Sequence, residues 1–208
     1  MYIHSKENQS KLTPEIAFQY LKEGNDRFVR NLRANRNLLQ QVNETRDGQY
    51  PFATILSCMD SRTSAELIFD QGLGDIFSIR IAGNVLNEDI LGSMEFGSRV
   101  VGTKIVMVLG HTKCGAIVGA CNNVQLGSLT QLLDKVKPAI AQETVTQNER
   151  TGKNSEFVNN VTEINVHLTI QRIKDESPII VDLLQEGKIK IVGGVYDVDT
   201  GKVDFFED

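Results

Sequence analysis

The chain has 208 residues, with 22 Lys or Arg against 27 Asp or Glu, so its formal charge is −5 at pH 7. Charged residues of both signs make up 24% of the chain, whereas a nucleic-acid-binding protein needs clustered basic residues that displace phosphate counterions. We therefore expect no nucleic-acid partner. With 40% hydrophobic residues, the length predicts one soluble domain, residues 1–208, that buries a core without disulfide or metal cross-links.

Membrane and secretion signals are missing from the pattern of apolar residues. The longest unbroken apolar run extends only from Ile105 to Leu109, whereas a membrane-spanning helix needs roughly 20 apolar residues. Residues 1–7 turn polar at once and lack the apolar core of a secretory signal. The sequence therefore predicts a cytoplasmic protein that does not contact membranes.

Three cysteines, Cys58, Cys114 and Cys121, are the first candidates for chemistry. They are too few, and odd in number, for a disulfide framework in a reducing compartment. A catalytic or metal-binding role for cysteine therefore has to be considered.

The first predicted element is an amphipathic helix over 14–32, in which Thr13 is the N-cap and Pro14 is the first helical residue. Gly24 predicts a break in this helix. The helix precedes every predicted strand, so residues 1–35 are interpreted as an N-terminal helical arm. An amphipathic helix in this position needs an apolar surface to cover.

Strands and helices alternate after the arm. The predicted strands cover 52–58, 76–82, 104–109, 188–195 and 202–206, and the predicted helices cover 63–70, 88–100, 128–142, 155–174 and 178–186. The first three strands are nearly continuous apolar runs, as expected when helices cover both faces of a parallel sheet. The pattern predicts an α/β fold with a mostly parallel β-sheet flanked by helices, an N-terminal helical arm and a C-terminal hairpin or edge strand.

Two polar clusters follow strands that are expected to be neighbours. The first strand leads into Cys58, Asp60 and Arg62, and the third leads into His111 and Cys114. Ligands of open parallel sheets bind beyond the carboxyl ends of the strands. We therefore expect the two clusters to form one site.

Two cysteines and one histidine supply the soft and borderline donors that zinc prefers. Three protein ligands leave a fourth position open for water, which is typical of a catalytic zinc site. A free cysteine also packs as a small apolar residue, so an inert buried pair is the alternative. The residue types alone leave both interpretations open.

At these residues the sequence resembles the β-class carbonic anhydrases. Cys58-x-Asp60-x-Arg62 is similar to the first signature of that family, and His111-x-x-Cys114-Gly115 is similar to the second. Residues 80–84, Arg-Ile-Ala-Gly-Asn, stand between the two signatures at the expected place. The resemblance implies reversible hydration of carbon dioxide to bicarbonate and a proton by zinc-bound hydroxide.

The resemblance also implies the roles of individual residues. Cys58, His111 and Cys114 would bind one Zn²⁺ per chain, and Asp60 and Arg62 would form the catalytic dyad. Gln49 stands where similar members place a glutamine that reaches the substrate. Phe77, Ala82 and Phe96 match positions that line the carbon dioxide pocket. Gly115 opens a helix, so its backbone N–H is a candidate to bind bicarbonate, an anion; the alternative is a glycine that only permits a tight turn. The arm would clasp a second subunit, which implies a homodimer or a homotetramer.

Asp60 could also act as a fourth zinc ligand in a closed site if Arg62 released it. Members of a bicarbonate-inhibited branch carry a tryptophan shortly before the first cysteine, whereas this chain has Ile55 there and no Trp. We therefore expect Asp60 to be paired with Arg62 and the site to be open.

Two other functions compete with this interpretation. In a metal-free cysteine hydrolase, Cys114 would be the nucleophile, Asp60 the base and Lys113 the electrophilic support, but Cys58 and His111 would have no role. In a zinc-stabilised oligomer or metal sensor, Asp60 would be a permanent fourth ligand. Within the family itself, carbon disulfide and carbonyl sulfide are alternatives to carbon dioxide as substrate.

Overall fold

A computed structural model describes residues 5–207. Its five strands form one sheet with the order β2-β1-β3-β4-β5. The strands are β1 (Ala53–Ser57), β2 (Ile76–Arg80), β3 (Ile105–His111), β4 (Lys190–Tyr196) and β5 (Val203–Glu207). The first four strands pair in parallel, and β5 pairs antiparallel with β4. The predicted mostly parallel sheet with an antiparallel C-terminal edge strand is confirmed.

Ten α-helices surround the sheet in the described part of the chain. They are α1 (Lys6–Lys11), α2 (Pro14–Val29), α3 (Leu38–Thr45), α4 (Ala65–Ile68), α5 (Glu88–Glu95), α6 (Gly115–Cys121), α7 (Gly127–Asp134), α8 (Lys137–Gln142), α9 (Ser155–Glu176) and α10 (Pro178–Gln185). Residues 1–4 of the predicted arm and residue 208 lie outside the described residues. None of the described helices combines the length and the apolar character needed to cross a bilayer.

The central strand β3 divides the core between the two faces of the sheet. Its residues Ile105 and Met107 pack in one apolar cluster with residues of α2 and α4. Val106 and Val108, which alternate with them along the strand, pack in a second cluster with residues of α5, α9 and α10. Burial on both faces explains why the strand is a continuous apolar run in the sequence.

The predicted break at Gly24 is wrong, because α2 continues through this residue to Val29. A Cβ atom at position 24 would lie 1.8 Å from the carbonyl oxygen of Phe69. Glycine therefore permits α2 to pack closely on the residues that follow α4, and it does not interrupt the helix. Phe18 and Leu21 of α2 are buried against the sheet of their own chain.

Other helices also differ from the sequence prediction. The helix predicted over 88–100 becomes π-helical at Phe96–Val101, a segment that we call the π-turn. The helix predicted over 128–142 is two helices, α7 and α8, with proline in the first turn of α8, where its missing N–H removes a hydrogen bond from a continuous helix. Helices α1 and α3 have no counterpart in the sequence prediction.

A buried ion-pair network fixes the end of α2 to the residue that follows α4. The carboxylate of Asp70, whose side chain is only 2% exposed, accepts a hydrogen bond from Arg27 Nε at 2.6 Å and is also paired with Arg36. We expect Asp70→Ala to lower the free energy of unfolding by about 3–5 kcal/mol, because both guanidinium groups lose their buried partner. Chemical denaturation followed by circular dichroism measures this change.

Asp26→Ala is the matched control, because Asp26 forms an exposed pair with Arg30 four residues away. Its expected effect is below about 1 kcal/mol. Burial raises the pKa of Asp70, but the hydrogen bonds from Arg27 and Arg36 outweigh burial and hold that pKa below its usual value. Stabilisation by Asp70 is thus present above about pH 4 and is lost as the pH falls below that value. Equal losses of stability in Asp70→Ala and Asp26→Ala would refute the assignment of Asp70 as a stabilising buried partner of the two arginines.

Candidate metal centre

Adjacent strands bring the two polar clusters together. β1 and β3 pair in parallel with Ser57 opposite Leu109. Cys58 follows β1 directly, His111 is the last residue of β3, and Cys114 is the N-cap residue of α6. The two sequence clusters therefore meet at the carboxyl edge of the sheet, beside the topological switch between neighbouring strands.

The three candidate ligand residues form one compact buried group. Sγ of Cys58, Sγ of Cys114 and a ring nitrogen of His111 lie within 4.8 Å of one another. The two sulfur atoms are 3.9 Å apart. Two Zn–S bonds of about 2.3 Å at a tetrahedral angle place their sulfurs about 3.8 Å apart. The spacing of the thiols therefore fits a tetrahedral zinc site.

The imidazole of His111 is oriented for metal binding. Its Nδ1 lies 2.9 Å from the backbone oxygen of Thr112, where it donates a hydrogen bond. This hydrogen bond leaves the lone pair on Nε2, and Nε2 is buried without a hydrogen-bond partner among the described residues. A buried unpaired nitrogen is unfavourable in a folded protein. A metal ion among the two sulfurs would supply the missing partner.

The surroundings of Cys58 favour a thiolate. Its Sγ accepts hydrogen bonds from the backbone N–H groups of Asp60 and Gly83, each at 3.4 Å. A hydrogen bond from the Cys114 thiol, together with these amides, lowers the pKa of Cys58 despite burial. The same thiolate and burial raise the pKa of Cys114. A dication would favour release of that second proton, because metal binding and thiol ionisation are coupled.

Asp60 and Arg62 form a bidentate ion pair next to the three ligand candidates. Arg62 donates from Nε to Oδ1 at 2.9 Å and from Nη2 to Oδ2 at 2.7 Å. These hydrogen bonds hold the pKa of Asp60 far below its usual range, so the carboxylate is ionised. Oδ2 lies 4.0 Å from Nε2 of His111. The carboxylate therefore faces the cluster while both of its oxygens are engaged by Arg62.

The turn between His111 and Cys114 is held in an uncommon backbone conformation. Lys113 has a φ of 56°, in the left-handed region that costs a residue with a side chain about 1–2 kcal/mol. Its ammonium pairs with Asp199 in the β4–β5 turn at 2.6 Å. Thr112 Oγ1 donates to Asp197 at 3.3 Å in the same turn. The C-terminal hairpin thus supports the loop that carries two candidate ligands.

Two residues that the sequence analysis gave no role in positioning fix the Cys58–Arg62 turn. Arg80 donates from Nε to the backbone oxygen of Cys58 at 3.1 Å and from Nη2 to the backbone oxygen of Asp60. Thr63 Oγ1 is 2.9 Å from each of the same two oxygens. The N-cap of α4 is Ser64, so Thr63 lies just before the helix. Both residues satisfy the carbonyls that a tight turn leaves unpaired.

We expect Arg80→Gln to lower kcat/KM for the carbon dioxide hydration that the resemblance implies by about tenfold to a hundredfold, with the metal still bound. Removal of outer partners of metal ligands typically has an effect of this size. Arg80→Lys should restore only part of the activity, because an ammonium cannot reproduce the two-directional guanidinium contacts. The measurement is initial-rate kinetics together with metal content. Arg172→Gln, which removes an exposed pair with Glu176, is the control, and equal activity in all variants would contradict the role of Arg80.

Residues of the predicted substrate pocket fall into two groups. Ala82 begins the 3₁₀ turn that places the Gly83 N–H on Cys58, and Gly115 directly follows Cys114. Both are close to the cluster. Phe77, in contrast, pairs with Thr54 at the amino end of β1, four residues and about 13 Å before Cys58.

Phe96 and Gln49 also lie away from the cluster of the same chain. Phe96 is 51% exposed, and its ring centroid is 6.3 Å from that of Phe77. Gln49 lines a separate cavity of about 620 Å³ between α3 and Leu73. One chain therefore does not bring Gln49, Phe77 and Phe96 to the candidate metal centre.

Comparison with known proteins places the chain in a family. The family described as carbonic anhydrase matches residues 53–203. Carbonic anhydrase 2 of Mycobacterium tuberculosis is 35% identical over 197 residues, covering 91% of each chain. The carbonic anhydrase of Mycolicibacterium smegmatis is 32% identical over 198 residues, covering 92% of each chain.

Solved structures agree with the sequence comparison. The β-carbonic anhydrase CafA of Aspergillus fumigatus superposes with a TM-score of 0.73 at 25% identity, covering 92% of this chain and 89% of that one. The Coccomyxa β-carbonic anhydrase, solved with acetazolamide, gives a TM-score of 0.70 at 22% identity over 78% of this chain and 74% of that one. The chain therefore belongs to the β class of the carbonic anhydrase family.

Proposed function

We propose that this chain catalyses the reversible hydration of carbon dioxide to bicarbonate and a proton at one zinc ion per chain, held by Cys58, His111 and Cys114. The observation that carries the proposal is the buried group of two thiols and an imidazole, in which Nε2 of His111 has no hydrogen-bond partner within residues 5–207. The family of the chain gives the reaction, and the donor set supports zinc as the metal.

Zinc, when bound, lowers the pKa of a coordinated water and so makes hydroxide available near neutral pH. The protein supplies the geometry for this chemistry. Nδ1 of His111 carries the proton and donates it in a hydrogen bond to the Thr112 carbonyl. The lone pair of Nε2 is therefore available to a metal ion. Arg80 and Thr63 hold the backbone of the turn that carries both Cys58 and Asp60.

Asp60 and Arg62 are proposed as the catalytic dyad. The ionised Asp60 carboxylate has no proton to donate, so it can only accept a hydrogen bond from the attacking hydroxide. With zinc bound, that hydrogen bond would hold the hydroxide proton on the carboxylate side and would leave an oxygen lone pair free to face carbon dioxide. Arg62 keeps the carboxylate in place through its bidentate pair.

The same geometry weighs against the other functions. Both oxygens of Asp60 are engaged by Arg62, which disfavours Asp60 as a permanent fourth ligand of a sensor site. In a cysteine hydrolase Lys113 would have to support the reacting group, but its ammonium is paired with Asp199. Cys114 itself is 1% exposed and has a raised pKa, which suits a nucleophile poorly in the absence of a metal.

A second copy of the chain would complete the substrate pocket. β2 is an edge strand of the sheet, and its residues Ser78 and Arg80 are exposed. Exposed edges are usually covered in native proteins. We propose a homodimer, or a homotetramer made of such dimers, in which Phe77, Phe96 and Gln49 of one subunit line the site of the other. Residues 1–208 then form one domain per subunit.

We expect light scattering at low protein concentration to give the mass of a dimer or tetramer, with activity in that fraction only. The physical reason is that apolar Phe77 and Phe96 reach no metal centre within one chain. The activity of fractions across the elution profile is the readout. A fully active monomer would dispose of the shared-pocket proposal and leave the proposed metal centre untouched.

Carbon dioxide is the proposed substrate, in preference to carbon disulfide or carbonyl sulfide. Ala82 and Gly115 lie at the cluster without bulky side chains that would narrow the approach. The deciding experiment is stopped-flow hydration of carbon dioxide beside hydrolysis of the two sulfur compounds, with the same enzyme sample. A kcat/KM highest for carbon dioxide supports the proposal, and a preference for either sulfur compound contradicts it.

A further inference from the structure

A separate cavity lies at the opposite end of the sheet from the metal centre. It is an open cavity of about 330 Å³ between the π-turn, the residues before β3, α10 and the residues before β4. Its lining is Ser98, Arg99, Gly102, Thr103, Lys104, Leu183, Lys188 and Ile189. The length of β3 separates this amino-end cavity from His111 by about 20 Å. The proposed carbon dioxide chemistry gives it no role.

Three cationic side chains, Arg99, Lys104 and Lys188, converge on the amino-end cavity. Burial, with a further contribution from the charge of Lys188, lowers the pKa of Lys104. Glu186 balances one of these charges, since its carboxylate is 2.6 Å from Nζ of Lys188. Lys188 lowers the pKa of Glu186, and Arg99 contributes less to that shift. The cavity therefore retains an excess of positive charge.

Ser98 supplies a buried polar atom to the lining of the amino-end cavity. The residue is 4% exposed, it lines the amino-end cavity, and its Oγ has no hydrogen-bond partner among the described residues. A buried hydroxyl without a partner lowers stability, so such groups call for an explanation. A ligand with acceptor oxygens would both accept this hydrogen bond and balance the surrounding charge.

The backbone around Ser98 is also unusual. Ser98 and Arg99 belong to the π-turn, and π-helical turns are rare and occur frequently at functional sites. Gly102 closes the π-turn with a φ of 93°. In this conformation Phe96 and Arg99 are exposed, whereas Ser98 between them is buried.

We propose that the amino-end cavity is a binding site for a phosphate-type oxyanion, either inorganic phosphate or the phosphoryl group of a small phosphate monoester. Ser98 Oγ donates a hydrogen bond to the anion, Arg99 forms charge-assisted hydrogen bonds to it, and Lys104 and Lys188 supply further positive charge. Leu183 and Ile189 are the large apolar residues of the cavity lining. The site is independent of the metal centre.

Calorimetric titration of the zinc-loaded protein with inorganic phosphate tests the proposal. We expect saturable binding that Arg99→Gln weakens by about tenfold or more, because a charge-assisted contact is lost. Lys135→Gln, which removes an exposed lysine elsewhere, should bind as the wild type does. Since phosphate could also bind at zinc, the Cys114→Ala variant, which should lack zinc, is titrated in parallel. Phosphate binding at the amino-end cavity should persist in that variant.

Ser98→Ala separates ligand binding from a merely structural role of the hydroxyl. Without phosphate the Tm of this variant should equal or exceed that of the wild type, because an unpaired buried hydroxyl has been removed. With phosphate the increase in Tm seen for the wild type should be reduced. An increase unchanged in both Ser98→Ala and Arg99→Gln, or no saturable binding to the Cys114→Ala variant, would overturn the proposal.

A parallel titration with glycerol phosphate distinguishes the two sources of the phosphoryl group. Tighter binding of the monoester identifies a phosphorylated small molecule as the ligand, since its organic part would contact Leu183 and Ile189. Tighter binding of inorganic phosphate identifies the free ion. Failure of both compounds to bind would refute the site without affecting the proposed carbon dioxide chemistry.

Discussion

Asp60→Asn is expected to lower kcat for carbon dioxide hydration by about a hundredfold or more, while the zinc content stays unchanged. The amide that replaces the carboxylate has one acceptor oxygen in place of two and carries N–H donors. It therefore cannot both pair with Arg62 in a bidentate manner and reliably accept the hydroxide proton. In the proposed site Asp60 does not hold zinc, because two thiols and an imidazole supply the three protein ligands.

Stopped-flow hydration and metal analysis of the same Asp60→Asn sample measure both parts of this prediction. Asp134→Asn is the matched control, since Asp134 forms an exposed pair with Lys137 outside the candidate site. Activity retained in Asp60→Asn would reject the dyad. Loss of zinc together with activity would mean that Asp60 acts as a ligand.

Cys114→Ala should lose zinc and reduce hydration to the uncatalysed background. The variant removes one of two thiolates, and Ala offers no donor atom to the metal. The remaining Cys58 thiol also loses the neighbouring sulfur that lowers its pKa, so it ionises less readily. We expect the zinc-free variant to stay folded, because Cys114 contributes to neither of the two apolar clusters on the faces of the sheet and packs only in the third cluster, beside α6.

Cys121→Ala is the control for this variant. Cys121 is half-buried on α6, is not part of the candidate ligand group, and has a pKa raised by burial to about 11. Its replacement should leave zinc content and hydration unchanged. If Cys114→Ala kept full zinc and full activity, the ligand assignment would be wrong.

The location of the candidate metal centre could be predicted from sequence because its parts follow strands. Cys58 comes directly after β1, and His111 ends β3. Parallel neighbours place their carboxyl ends together, so alternating strands and helices were sufficient to predict that the two clusters meet. The apolar runs of these strands likewise indicated burial on both faces.

The supporting contacts could not be predicted in the same way. Arg80 reaches the Cys58 turn across neighbouring strands, and Asp197 reaches Thr112 from the C-terminal hairpin. Such contacts join residues far apart in sequence, and no local spacing indicates them. Gly24 was predicted wrongly for a related reason. Taken alone, a glycine predicts a helix break, but here its lack of a side chain permits close packing on Phe69.

Removal and return of the metal test the central claim most directly. Wild-type protein is stripped with a chelator under reducing conditions, checked for an intact fold, and assayed for zinc content and carbon dioxide hydration before and after zinc is added back. We predict one zinc per chain, loss of hydration with the metal, and recovery in proportion to the zinc restored. Hydration that persists in metal-free protein, or folded protein that binds zinc at Cys58, His111 and Cys114 without hydrating carbon dioxide, would contradict the account.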